Sequence, residues 1–372
     1  MPASLLADIQ ALVECESPSA DLAAVARSAD VLARIGTARL GVAPERIVLD
    51  GRTHLRWRLG DGPHPVLLLG HHDTVWPIGS LAARPYQVTG DVMTGPGCFD
   101  MKAGVVLALH AAAGQSGVTV LVTGDEELGS PSSRALIEDE ARRAASVLVL
   151  EASADGGALK TERKGVSLYE VSVTGRGAHA GLEPEMGINA TLELAHQALT
   201  ISRLGRPELG TTVTPTVSRA GTTTNTVPAE GFLSVDVRTR TVAEQQRVDA
   251  GLRRLRPVLA GARVRVDGGV NRPPLEAAAS IGMLHRVQAL ATRLGLPPVS
   301  ATAVGGASDG NFTAGVGTPT LDGLGAVGGG AHAEHEHVLV GQLAGRSTLL
   351  RALIADLLSD PPRSLIEEPG TP

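Results

Sequence analysis

Aromatic residues are scarce: Phe, Trp and Tyr together make up 2 % of 372 positions. So small an aromatic complement leaves little surface on which nucleic-acid bases could stack. Positive charge is not in excess either. The net charge is −6 and no basic cluster is present, which argues against a phosphate-backbone binder. Cysteine is limited to Cys15 and Cys98, which excludes a disulfide framework and a thiolate zinc knuckle and fits a reducing compartment. No apolar run approaches the length that spans a bilayer, and the opening Met1-Pro2-Ala3-Ser4 carries no basic targeting region. The expectation is a cytoplasmic protein with neither a nucleic-acid nor a membrane partner.

What is present is an ordinary apolar content of 43 % and as many as 45 glycines, in a chain long enough for two domains. Apolar periodicity predicts helices over 4–13, 21–35, 101–113 and 132–144. Buried or half-buried strands are expected over 46–49, 55–59, 65–69, 118–122 and 146–150, with a turn at 91–97. Strands alternating with helices point to the α/β class, with a mixed, largely parallel sheet flanked by helices. The texture changes after Lys164. Strands over 166–173, 211–217, 232–238 and 262–266, with helices over 188–204 and 242–255, follow the β-α-β-β-α-β order of a small ferredoxin-like α+β sandwich. Helical texture resumes from Pro274, over 281–294 and 343–358, so the sandwich reads as an insertion. The chain is expected to divide into a main domain over 1–165 and 274–360, an inserted domain over 166–273, and a loose Pro-rich tail over 361–372.

The apolar run ending at Leu69 delivers Gly70-His71-His72-Asp73 just past its carboxyl end, where open α/β sheets keep their ligands. The same thing happens twice more, at Asp125-Glu126-Glu127 and at Glu151. Asp100 stands immediately before a predicted helix, and Gly328-Gly329-Gly330-Ala331-His332 presents a histidine on a glycine run. If the strands are neighbours, these acids converge and repel, and the resolution that costs least is a bound cation. Asp100, Glu127 and Glu151 bring three negative charges, which two divalent ions overcompensate by one and a metal-bound hydroxide then neutralises. Imidazole and carboxylate donors without thiolate suit zinc first, with cobalt, manganese or nickel as alternatives. Glu126, beside a ligand but turned elsewhere, is then available as general base and later general acid.

Four ordered segments carry a resemblance: Gly70-His71-His72-Asp73-Thr74-Val75, Gly97 with Asp100-Met101-Lys102-Ala103-Gly104, Thr123-Gly124-Asp125-Glu126-Glu127-Leu128-Gly129-Ser130, and Gly175-Arg176-Gly177-Ala178-His179-Ala180-Gly181. Together they resemble the co-catalytic dizinc metallopeptidases that include glutamate carboxypeptidase, aminoacylase and succinyl-diaminopimelate desuccinylase. The bacterial glutamate carboxypeptidase branch is the most similar, with Gly306-Ala307-Ser308-Asp309 at its matching segment. The resemblance implies a zinc-peptidase core with an inserted dimerisation and lid domain. It implies that His71 and Glu151 hold one zinc, Glu127 and His332 the other, and Asp100 bridges both. Among His332, His335 and His337, the first follows the glycine run and precedes Glu336 at the family spacing. Glu126 matches the catalytic acid/base and Asp73 the carboxylate that orients His71. His179 matches a histidine that reaches the partner subunit's site in a homodimer and helps hold the oxyanion. Asn225, Arg238 and Gly306 match positions that bind a substrate carboxylate, and the Asp100–Met101 peptide resembles one that is cis in relatives.

The implied activity is hydrolysis of a C-terminal amide bond in an N-acyl or N-peptidyl amino acid, or, on the same site, deacylation of an N-acylated metabolite. Several plainer readings stand beside it. Gly306-Ala307-Ser308-Asp309-Gly310 also satisfies a Gly-x-Ser-x-Gly nucleophile elbow, with Asp322 and His332 following in serine-hydrolase order. A chain with this fold could instead be a non-catalytic scaffold. Arg238 shares a strand face with Asp236 and Arg240, the pattern of an exposed charge ladder. His72, His335 and His337 are expected at the surface, and Cys98 as a small filler.

Overall fold

The protein is described by a computed structural model over residues 3–62 and 64–362. The greater part of the expected tail, 363–372, lies outside the described residues. Contacts divide the chain into two compact units. One holds the described residues up to Glu162, those of Glu276–Val304 and those from Ser308 on; the other holds Arg163–Leu275 and Gly305–Ala307. No helix among the described residues is long and apolar enough to cross a membrane.

The first unit is built on a six-stranded sheet in the order Glu45–Leu49, Arg52–Leu59, Val118–Thr123, Val66–His71, Ser146–Val149, Thr320–Leu321. The first two pairings are antiparallel and the other three parallel. The sheet is therefore mixed, with its parallel half in the middle. Side chains of a strand alternate between faces, and both faces are covered. Val66 and Leu68 join one apolar layer, with the helices Ala3–Val13, Leu22–Leu40, Ala103–Ala112, Ala277–Arg293 and Val340–Ser359. Leu67 and Leu69 join the other, with Ile137 of Arg134–Arg143 and Phe312 of Gly310–Gly315. A strand covered on both faces reads as a continuous apolar run rather than an alternation, which is how 65–69 and 118–122 appear in the sequence.

Register places the chemistry. His71 lies opposite Thr123, Gly70 opposite Val122 and Leu69 opposite Val149. The three parallel strands thus end together, and whatever follows each is delivered to one edge of the sheet. Gly104, at the start of Ala103–Ala112, fits against the backbone after the third of these strands: a Cβ there would stand 2.1 Å from the Leu150 carbonyl oxygen. Only glycine permits that approach, and it brings the 97–102 segment beside Glu151.

The expected helix over 101–113 is shorter than its periodicity suggests. Residues 98–102 form a wide turn with non-helical backbone at Asp100 and Met101, and the α-helix runs Ala103–Ala112. Conversely, the second helix extends to Leu40, where Gly41 ends it at φ 74° with its N–H on the Thr37 carbonyl.

The second unit has a four-stranded sheet in the order Thr212–Ala220, Glu230–Thr239, Gly165–Thr174, Arg263–Arg272, antiparallel throughout. The helices Ala190–Ser202 and Val242–Arg253 cover one face through Leu194, Ile201, Val248 and Leu252, against Val171, Val173, Val235 and Val237. Asn189 and Thr241 cap these helices, accepting from Thr191 and Leu192 N–H and from Glu244 N–H respectively. The chain order is that of the ferredoxin-like sandwich.

Candidate metal centre

Two groups of potential ligands share one residue. His71, Asp100 and Glu151 form the first and Asp100, Glu127 and His332 the second, with the donor atoms of each group within 4.8 Å of one another. Asp100 divides its oxygens between them. Oδ1 lies 3.4 Å from His71 Nε2, and Oδ2 lies 3.3 Å from His332 Nε2. His71 Nε2 is 3.6 Å from Glu151 Oε1, and His332 Nε2 is 3.1 Å from Glu127 Oε2. The His332–Glu127 separation is of hydrogen-bond length and the other three are longer, a spacing compatible with donors gathered around an ion.

The donor chemistry fits. His71 Nδ1 donates to the Asp73 carbonyl oxygen at 3.0 Å, so the ring in its neutral form would turn the Nε2 lone pair toward the acids. His71 Nε2, Asp100 Oδ1 and Glu127 Oε1 are buried and make no hydrogen bond, an arrangement that native interiors avoid unless something else satisfies the atoms. The charges point the same way. Burial alone would lower the His71 pKa, but the carboxylates of Asp100, Asp73 and Glu151 raise it well above the usual imidazole value. Asp100 and Glu127 raise His332 to about 10. Burial opposes ionisation of Asp100, yet His332 and His71 hold its carboxyl far below the ordinary range. Glu127 is raised, chiefly by burial. The centre demands positive charge.

Local structure explains each placement. Asp73 is fully buried and lies between the strand end and the acidic turn. Its Oδ1 accepts from Glu126 N–H and its Oδ2 from Glu127 N–H, both at 3.2 Å, and Ser19 Oγ donates to Oδ2 at 2.6 Å. The carboxylate is farther from the ring it is expected to orient, 3.5 Å from His71 Nδ1, than Asp73's own carbonyl is. Asp73 therefore positions the Glu126-Glu127 turn at least as directly as it positions His71. Glu126 begins the 3₁₀ turn Glu126–Leu128 and is itself buried. Gly97, at φ 70°, opens the Asp100 segment where a Cβ would meet Thr74 Cγ2 at 2.4 Å. His332 occupies a turn at φ 62°, and the Asp100–Met101 peptide is cis.

Not every acid at this edge joins the centre. Asp125 accepts from the main-chain N–H and the hydroxyl of both Ser132 and Ser133, fixing the turn that leads into Arg134–Arg143. His72 is not a surface residue. It is fully buried, Nε2 bonds to the Thr53 carbonyl at 3.0 Å, and burial pushes its pKa down to about 4. His335 is exposed and His337 half-buried, while Cys98 is buried and its thiol is raised by burial. The serine-hydrolase reading fails at Ser308, whose buried hydroxyl donates to Asp322 Oδ2 at 2.6 Å. The histidine that reading requires, His332, faces Asp100 and Glu127 instead. Ser19, bonded to Asp73, and Glu336, bonded to the Asp100 main chain, carry no motif that the sequence makes legible; only the Ser-Pro-Ser run at 17–19 gives a local hint of the first.

In the second unit, Ala178 and His179 pair with Val227 and Thr226, and Ala180 N–H donates to the Asn225 carbonyl at 2.8 Å. This ribbon brings His179 and Asn225 together. His179 Nδ1 accepts from Gly181 and Leu182 N–H, both at 3.1 Å, so the neutral ring carries its hydrogen on Nε2. Arg238 lies on Glu230–Thr239 and donates side-on to Asp236 through Nε and Nη2 at 2.9 and 3.0 Å. The Gly306 carbonyl accepts from Arg163 Nη1 at 3.1 Å.

Over most of its length the chain is similar to known proteins. The family described as Peptidase family M20/M25/M40 matches residues 67–356. Carboxypeptidase G2 of Pseudomonas sp. (strain RS-16) is 31 % identical over 314 residues, covering 80 % of this chain and 75 % of that protein. Among solved structures, aminopeptidase PepT of Bacillus cereus superposes with a TM-score of 0.74 at 22 % identity, covering 96 % of this chain and 98 % of that one. Bacillus subtilis YXEP, described as a dinuclear metal binding peptidase from the M20 family, gives a TM-score of 0.64 at 15 % identity, covering 96 % and 99 %.

Proposed function

The chain belongs to peptidase family M20/M25/M40, and on that premise we propose that it removes a C-terminal amino acid from an N-acyl or N-peptidyl substrate. It is a hydrolase of the metallopeptidase class. The observation that carries the reading is Asp100, whose two oxygens face two separate ligand groups. His71 and Glu151 would hold one divalent ion and Glu127 and His332 the other, with Asp100 common to both. Zinc is the first choice, with cobalt or manganese as alternatives. When bound, the ions supply Lewis-acid polarisation of the scissile carbonyl and an activated water.

The chain's own residues do the rest. Glu126, whose main-chain N–H is held by the Asp73 carboxylate, accepts the proton from the attacking water and returns it to the leaving amine. His179 offers its Nε2–H to the oxygen that becomes negative as the carbonyl is attacked. Asn225, Arg238 and Gly306 are proposed to receive the free carboxylate of the substrate. The preference for a C-terminal bond draws on the likeness to a protein named carboxypeptidase. The second unit also exposes Leu182, Met186, Leu192 and Leu199, an apolar set that supports pairing with a second copy, in which His179 would serve the partner's centre.

A hydrolysis screen over N-acyl amino acids and dipeptides, each with a free and an amidated C-terminus, run with added zinc, cobalt or manganese, tests this. Cleavage confined to free carboxylates is expected. Equal cleavage of amidated substrates would overturn the carboxypeptidase assignment, while deacylation confined to one acyl group would favour an acylase.

A further inference from the structure

Glu336 lies four residues beyond His332, just before the strand His337–Leu339, and is 4 % exposed. Its carboxylate takes four N–H donors. Oε2 accepts from Gly97 N–H at 2.9 Å and from Trp76 Nε1–H at 2.7 Å. Oε1 accepts from Phe99 N–H at 2.9 Å and Asp100 N–H at 3.0 Å. Consecutive main-chain N–H groups turned onto one anion form the concave grip that backbone uses to hold negative charge, and hydrogen bonds to a charged acceptor are the stronger kind.

Each donor comes from a segment that carries the centre. Trp76 follows His71 and Asp73 on the same loop, and Gly97, Phe99 and Asp100 form the turn of the shared ligand. Glu336 itself closes the turn that presents His332, with its own N–H on the Ala333 carbonyl at 3.0 Å. His71, Glu127 and Glu151 follow closely on sheet strands, whereas Asp100 and His332 sit on turns. One buried side chain thus ties the two turn-borne ligands to each other and to the strand-borne loop.

From this we infer that Glu336 is a positioning residue that fixes Asp100 midway between the two ligand groups and thereby sets the affinity of the Glu127–His332 metal position. The inference rests on the dinuclear reading above. Glu336 spends both carboxylate oxygens on these N–H groups, so it acts through the main chain of Asp100 and the turn of His332. An amide in place of the carboxylate would set its NH2 against two of the four N–H groups and release the turn on that side.

The test is stepwise zinc binding, read by chelator competition and by metal analysis of the dialysed protein, on wild type, Glu336→Gln and Trp76→Phe. Circular dichroism and the melting midpoint of the metal-free chains report folding. Wild type is expected to bind two zinc ions per chain. Glu336→Gln should keep the tight first step and weaken the second by about 10- to 100-fold, the usual effect of losing a partner that orients a ligand. Trp76→Phe removes one donor of four and should shift the second step in the same direction by a smaller factor. Wild-type affinity in both steps for a folded Glu336→Gln overturns the inference, as does an equal loss in both steps, which marks a general structural role. Should Glu336→Gln fail to fold, Trp76→Phe decides, and an unchanged second step overturns it. A wild-type chain that binds fewer than two zinc ions overturns the dinuclear reading, and this inference with it.

Discussion

The carboxylate of Asp73 accepts the main-chain N–H of Glu126 at 3.2 Å. A residue two positions beyond the histidine strand therefore holds in place the residue proposed to move the proton. Asp73 also receives Glu127 N–H and the Ser19 hydroxyl, so a single buried anion links the first-unit elements of the proposed mechanism.

Weakening that anion should loosen the turn without emptying the centre. Asp73→Asn leaves one oxygen for three donors and is expected to lower kcat by about 10- to 100-fold. Ser19→Ala removes one donor from a fully buried carboxylate and should lower stability by about 1–3 kcal/mol, with a smaller fall in kcat. Urea unfolding together with steady-state kinetics on both variants checks this. An Asp73→Asn enzyme with wild-type kcat would contradict the linkage.

Glu126→Ala should retain metal and fold but lose about 10²- to 10⁴-fold in kcat, the usual worth of a general acid/base. If His179 acts in the partner's centre, mixing Glu126→Ala with His179→Ala chains creates heterodimers that hold one intact centre, and activity should partly return. Confirmed heterodimers with no activity above that of either parent would count against supply from the partner.

His54 gives a pH dependence of stability. Its Nδ1 accepts from Gly124 N–H at 3.2 Å and its Nε2 lies 3.3 Å from Ser132 Oγ, an arrangement for the neutral ring, and burial holds its pKa below the usual value. The unfolded chain protonates such a ring near pH 6.5, about the free imidazole value. Below that pH the unfolded state binds a proton that the folded state refuses, so stability falls; above it the group contributes no slope. His54→Asn should cost about 1–3 kcal/mol at pH 8, and the gap from wild type should narrow as pH drops from 8 toward 5. Parallel stability curves would contradict this.

What the sequence made legible follows from where apolar runs stop. The strands carrying His71, the Glu126-Glu127 turn and Glu151 are buried on both faces and end abruptly in polar residues, so both the strands and their termini stand out. The short strands Gln87–Thr89 and Leu159–Arg163 were not legible, being brief and partly polar. Arg263–Arg272 runs beyond the expected 262–266 because Gly268 and Gly269 continue the pairing through positive φ. Among the acids, nothing local distinguishes Asp125, which fixes a turn, from Glu127, which faces His332; only the folded partners Ser132 and Ser133 do. His72 is expected at the surface from the sequence, yet it is fully buried with its Nε2 on the Thr53 carbonyl. Ser19 and Glu336 act across 54 and 236 or more residues, separations that no periodicity reports.

In the proposed centre Asp100 stands between two metal positions. Crystals grown with zinc and measured by anomalous diffraction on either side of the zinc edge test it directly. Two anomalous peaks per chain are expected, one among His71, Asp100 and Glu151 and one among Asp100, Glu127 and His332. A single peak, or peaks that do not touch Asp100, would contradict it.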